Sequence, residues 1–249
     1  MKRASILRSI LIKLGKFFLR RIGNLQGKHS LVETTPFLPS DQFAWVKDLE
    51  DNWEYIKAEL NHVLDRPEDI PSFHQLSPDQ QRISKGDNWK TFAFYVFGIK
   101  LEENAKRCPR TIQLIEALPG LQNAWFSILA PGYHIPPHRG PTRAVIRCHL
   151  GLIVPSDKDK CWLRVDDQVK TWEAGKCMLF DDTYEHEVKN DTEERRVVLF
   201  LDVDRPSDWI GRLVNRILIL GVRSSAYVKD PVRNLAAWNR RLQRSMQDD

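Results

Sequence analysis

Two histidines, His138 and His186, stand 48 positions apart, each beside turn-forming residues at the edge of an apolar, β-rich run: "HIPPHRGPTRAVIRCHLGL" and "MLFDDTYEHEVKND". Neutral imidazole is the commonest protein ligand for metals and suits iron or zinc, so two such edges brought to one barrel mouth would hold an ion. Iron oxygenases usually add a carboxylate two residues after the first histidine; Gly140 occupies that position here. The third informative residue is Arg196, which opens the otherwise apolar run "RVVLFLDV". Burying a guanidinium is costly unless it meets a carboxylate. A dicarboxylate such as 2-oxoglutarate would supply one, gripped by the planar fork. Arg147 and His149 alternate along one strand, share a face, and can reach the same ligand.

Other polar residues in these runs have simpler readings. His134 is expected to be structural, and Arg195 to face solvent on the side opposite Arg196. Asp181 and Asp182 sit in a turn, where carboxylates accept backbone N–H groups or orient a ligand histidine. Trp125, Trp162 and Trp172 read as strand packing.

The elements that must position these residues follow from periodicity and punctuation. From Phe43, Val46, Leu49, Trp53 and Ile56 the spacing predicts helix, opened by a Ser40/Asp41 cap. "WKTFAFYVFG" predicts a strand, and "CPRTIQLIEALPG" a short helix entered at Pro109. From Trp125 onward the chain is β-rich, with turns expected at "APGYHIPPH", "VPSDKDK", "RVDDQ", "EAGK" and "KNDTEE". Short strands at this spacing predict a mainly β protein, a double-sheet jelly roll with flanking helices. Helical periodicity returns in "WIGRLVNRILIL" and "PVRNLAAWNRRLQ".

Charge is distributed unevenly over the 249 residues. Residues 1–32 hold eight Lys/Arg and no Asp/Glu, and residues 209–244 hold eight Lys/Arg against Asp230 alone. The intervening 33–208 is net acidic and offers no extended basic groove, so nucleic acid is not an expected partner. In "SILRSILIKLGKFFLRRI" the apolar residues fall within an arc of roughly 140°, with Arg8, Lys13, Lys16 and Arg20 opposite. Those charges interrupt the apolar region that a signal peptide needs. The expected organisation is a basic amphipathic helix over 1–32, a jelly-roll domain with N-terminal helices over 33–208, and a basic helical extension over 209–249, the two ends binding an anionic membrane surface. Four cysteines without C-x-x-C spacing point to a reducing compartment, hence a cytoplasmic protein peripheral to the membrane.

Through "FSILAPGYHIPPHRGPTRAVIRCHLGLIVP", "TWEAGKCMLFDDTYEHEVKND" and "RRVVLFLDVDRP" the sequence resembles the aspartyl/asparaginyl β-hydroxylases, Fe(II)- and 2-oxoglutarate-dependent oxygenases with a double-stranded β-helix core. The resemblance implies His138 and His186 as iron ligands and Ser127, Arg147, His149 and Arg196 as 2-oxoglutarate contacts. It also implies O2-dependent hydroxylation of an unactivated C–H, and the family lacks the carboxylate ligand, as Gly140 does here. By family membership the expected substrate is peptidyl Asp/Asn. The alternatives are a lipid acyl chain and a non-catalytic metal- or anion-binding module. The family's peptide hydroxylases carry a further arginine two residues before Arg147, where this chain has Val145.

Overall fold

The computed structural model describes residues 21–77, 80–223 and 226–248. Most of the expected N-terminal amphipathic helix lies outside the described residues; residues 21–28 are helical (α1). β1 (Phe37–Leu38) precedes α2 (Ala44–Asp51) and α3 (Trp53–Leu64). The continuous helix expected here is broken at Asn52, whose side chain donates to the Asp48 carbonyl and competes with the helical ladder. The expected Ser40/Asp41 cap does not form. Ser40–Gln42 is a separate 3-10 turn, and α2 begins after Phe43, which is anchored by burial rather than by a side-chain cap.

Next come α4 (Phe73–Leu76), β2 (Trp89–Val96), β3 (Ile99–Lys100), α5 (Glu102–Ala105) and α6 (Pro109–Glu116). Glu59 of α3 accepts from the backbone N–H groups of Arg110 and Thr111, satisfying two donors that a helix start leaves open. The β core follows: β4 (Leu121–Leu129), β5 (Tyr133–His138), β6 (Val145–Ile153), β7 (Cys161–Val165), β8 (Gln168–Thr171), β9 (Cys177–Phe180), β10 (His186–Asn190) and β11 (Arg196–Asp204). α7 (Trp209–Arg223) and α8 (Ala226–Asp248) complete the described chain.

All pairings are antiparallel. One sheet has the order β1-β9-β6-β11-β4-β2-β3 and the other β5-β10-β7-β8. The eight strands β4–β11 thus pass back and forth between two sheets as a double-stranded β-helix, with the β7–β8 hairpin lying within the smaller sheet. One expected turn is a strand instead, since "HIPPH" forms most of β5. Its two prolines are tolerated because β5 is an edge strand, where missing N–H donors break no ladder.

The larger sheet is covered on both faces, so β11 is buried along almost its whole length and is apolar except at Arg196, Asp202 and Asp204. Val197, Leu199, Leu201 and Val203 pack toward α2, α3 and α6, while Val198 and Phe200 face the smaller sheet. Arg196 shares the parity of Val198 and Phe200 and so projects between the sheets. The C-terminal helices dock on this frame: Trp238 Nε1 donates to the Asp69 carbonyl at 2.7 Å and Asn234 to that of Leu76 at 3.0 Å. Asn215 of α7 accepts from Gln26 of α1 at 2.9 Å.

The turn before β10 is fixed by a buried ion pair. Arg205 Nη2 lies 2.6 Å from Asp181 Oδ2, and the same guanidinium donates to the carbonyls of Arg143 and Glu33. Asp181 also accepts from the backbone and hydroxyl of Thr183. Three segments therefore converge on one guanidinium. Arg205→Met leaves the buried Asp181 carboxylate with the more distant Arg143, at 3.4 Å, as its cationic partner, and the unfolding free energy is expected to fall by about 3 kcal/mol. Urea denaturation measures this, and a loss below about 1 kcal/mol would mean that the pair is not holding the turn.

Candidate active site

β5 and β10 pair with His138 directly opposite His186. Their ring centroids are 4.1 Å apart. Each Nδ1 donates to a backbone carbonyl two residues earlier, His138 to Pro136 at 2.8 Å and His186 to Tyr184 at 3.0 Å. That fixes the tautomer and leaves Nε2 of each ring unprotonated and able to coordinate a metal. Burial pushes His138 down to about 4, with the charges of Arg147 and Arg82 adding to the effect. Burial also holds His186 well below its ordinary value, reinforced by His138 and Arg147. Both rings are neutral near pH 7, the form that binds a metal.

Among the described residues no third His, Cys, Asp or Glu is placed to complete a three-residue metal site. The space beside Gly140 shows why no side chain stands there. A Cβ at that position would lie 2.0 Å from Asp182 Oδ2, and Gly140 N–H donates to the Asp182 carbonyl at 2.7 Å. A carboxylate therefore does reach this corner, but from the β9–β10 turn. Arg147 Nη2 holds it at 2.9 Å while Arg147 Nε binds Asp202 Oδ1, also at 2.9 Å. Burial pushes the Asp182 carboxyl up to about 7, against the pull of Arg147.

Arg147 was expected to grip a co-substrate. It does face the inner side of the larger sheet, 4.3 Å from the Phe200 ring centre, but its guanidinium engages Asp182 and Asp202. Asp202, completed by Asn123 at 2.8 Å, is a site residue that sequence reasoning missed. Its signal was present: an acid inside an apolar strand with the same parity as Arg196.

Ser127, His149 and Arg196 occupy the same inner face. Ser127 Oγ accepts from Trp89 Nε1 at 3.1 Å. His149 lies edge-on to Phe180, with centroids 5.0 Å apart. Arg196 is fully buried, its guanidinium 4.6 Å from the Trp172 ring centre. Five buried polar atoms here have no hydrogen-bond partner among the described residues: both His149 ring nitrogens, Trp172 Nε1, and Arg196 Nε and Nη1. Burial pushes Arg196 down to about 10, still cationic at neutral pH. A buried cation with two unsatisfied donors requires an anion, and a planar carboxylate matches its fork.

The remaining expectations are met locally. Arg195 is exposed, and His134 is tied to Glu187 at 2.7 Å. Trp125 stacks on Phe200 at 3.9 Å, yet it also lines a cavity of about 150 Å³ that runs from His138. This cavity passes Asp182 and Arg147, then Trp89, Phe73 and Ala93, and reaches α7 at Leu218 and Ile219.

The neutral histidines give the metal-free protein a pH signature. An unfolded imidazole takes up its proton near pH 6.5, whereas native His138 does so near 4. The unfolded state thus binds more protons between these values, so stability falls as pH drops through that window. The expected loss from His138 is about 2 kcal/mol after allowance for its partial exposure. Denaturant curves of metal-free wild type and His138→Gln at pH 7 and pH 4.5 check this; parallel losses in the two would contradict it.

The sequence profile of the aspartyl/asparaginyl β-hydroxylases matches residues 50–206. The ornithine lipid ester-linked acyl 2-hydroxylase of Rhizobium tropici is 40% identical over 230 residues, covering 91% of this chain and 82% of that protein. The human aspartyl/asparaginyl β-hydroxylase is 36% identical over 166 residues, covering 65% of this chain and 21% of that protein. The human aspartate β-hydroxylase domain-containing protein 2 is 32% identical over 187 residues, covering 70% of this chain and 48% of that protein. With the paired histidines, the buried arginine and the double-stranded β-helix already in place, the chain belongs to the aspartyl/asparaginyl β-hydroxylase family and is a hydroxylase.

Proposed function

We propose that this hydroxylase depends on Fe(II), 2-oxoglutarate and O2, and that it hydroxylates C2 of an ester-linked acyl chain in a membrane lipid at the cytoplasmic face. The observation that carries the co-substrate is the unpaired guanidinium of Arg196, buried with His149 and Trp172 on the face that looks toward His138 and His186. The acyl reading rests on the cavity, whose walls between the Arg147 cluster and α7 are mostly aromatic and aliphatic, with Thr91, Gln122 and Asn123 the polar interruptions nearest the strands. Methylene groups gain from such walls, whereas an Asp or Asn side chain would have to be desolvated there. A relative named for acyl 2-hydroxylation, similar along most of both chains, supports the same choice.

The residues divide the work. Nε2 of His138 and of His186 would hold the iron. Arg196 would take one carboxylate of 2-oxoglutarate, with Ser127 Oγ and His149 completing its hydrogen bonds. When bound, iron and 2-oxoglutarate supply the oxidising power, with succinate and CO2 as by-products. Pro136 and Tyr184 carbonyls keep the ligand nitrogens aimed, and Arg147 steadies the Asp182 carboxylate beside them. The aromatic wall of Trp89, Trp125 and Phe200 keeps water from the reacting carbon and aligns the chain.

The test combines the purified protein with Fe(II), 2-oxoglutarate and ornithine lipid in air, followed by mass spectrometry of lipid and succinate. One oxygen atom added to the ester-linked acyl chain per succinate formed is expected. Hydroxylation confined to Asp or Asn of added peptides would replace the acyl reading. Arg196→Met should raise the KM for 2-oxoglutarate at least about tenfold while leaving iron content unchanged. His186→Ala should abolish both iron binding and turnover; full iron occupancy in that variant would remove it from the metal site.

A further inference from the structure

α7 has a buried face and an exposed apolar face. Gly211, Asn215 and Ile219 are buried, Gly211 against His29 and Ser207, and Asn215 against Gln26 of α1; Leu218 and Ile219 form part of the cavity wall. On the outward side Trp209, Leu213 and Ile217 are 69%, 52% and 63% exposed. They recur every four residues and so form one stripe. A surface helix ordinarily places polar groups at such positions, and a contiguous exposed apolar strip marks an interaction site. Arg212 and Arg216, both exposed, lie beside the stripe, and α7 contains no Asp or Glu. The bordering charge selects the occupant. A second copy of this helix would bring arginine against arginine, whereas an anionic lipid surface supplies both phosphates and an apolar layer. Arg82 and Arg139, exposed and lining the His138 end of the same cavity, extend the positive border.

We propose that α7 lies in the surface of an anionic membrane with Trp209, Leu213 and Ile217 among the lipid acyl chains. The chain to be hydroxylated then reaches His138 along the opposite side of this helix, past Leu218 and Ile219. The docking face stands independently; the access route rests on the acyl-hydroxylase reading above.

The test uses the full chain and co-sedimentation with vesicles of phosphatidylglycerol mixed with phosphatidylcholine, or of phosphatidylcholine alone. Leu213→Ser/Ile217→Ser should weaken binding to the anionic vesicles at least about tenfold. Val169→Ser, which removes an exposed apolar side chain from β8, is the control and should not weaken it. Arg212→Gln/Arg216→Gln should reduce both the affinity and its sensitivity to salt. Turnover of lipid in vesicles relative to lipid in detergent micelles should fall for Leu213→Ser/Ile217→Ser. Vesicle binding equal to that of the control would overturn the proposal. So would a change in oligomeric state with vesicle binding intact, which would make the stripe an interface between copies. If wild type hydroxylates no lipid in micelles, the acyl reading and the access route fail together, while the vesicle assay still decides the docking face.

Discussion

The register of β10 between β5 and β7 is the constraint on which the site depends. Side chains along a strand alternate between faces, so a slip of one residue would turn His186 out of the barrel and bring Glu187 in. The register is held from both ends. Val188 is buried between the sheets, and the preceding turn is fastened through Asp181 to Arg205. The two imidazoles then meet because β5 ends where β10 begins. No loop has to find its position for the histidine pair to form, and each ring is aimed by a carbonyl of its own strand or turn.

The same geometry accounts for a histidine pair without a carboxylate two residues after His138. Gly140 leaves room for Asp182 because any side chain there would collide with it, and Arg147 carries the neutralising charge between Asp182 and Asp202. The interior thus holds two different polar systems. Arg147, Asp182, Asp202 and Asn123 satisfy one another, as buried polar networks must. Arg196 and His149 do not, and that residual demand distinguishes a ligand site from a structural ion pair. Low dielectric strengthens both, but only the unsatisfied system gains by binding something else.

Much of this was legible before any coordinates. His138, His186 and Arg196 are polar residues where strand patterning asks for apolar ones, and each such violation marked the site. The jelly roll followed from strand spacing. Three features were obscured because tertiary context overrides local preference. "HIPPH" looks like a turn by its prolines and is a strand only because it lies at a sheet edge. The helix break at Asn52 depends on one side chain turning back on its own ladder. Arg147 shares the parity of His149, but its pairing with Asp182 and Asp202 joins three segments far apart in sequence, which alternation along one strand cannot reveal.

The C-terminal helices extend the cavity beyond the family core. The matched profile ends at residue 206, three residues before α7 begins, yet the cavity does not end with the core. Leu218, Ile219 and, from α8, Pro231 extend its wall with aliphatic groups. On the acyl reading, chemistry and substrate choice are built by different parts of the chain. The barrel fixes the histidines and the buried arginine through sheet register, a rigid arrangement that tolerates little change. The appended helices adjust the length and polarity of the route to them, and a substitution on α7 can alter what enters without disturbing a single strand pairing.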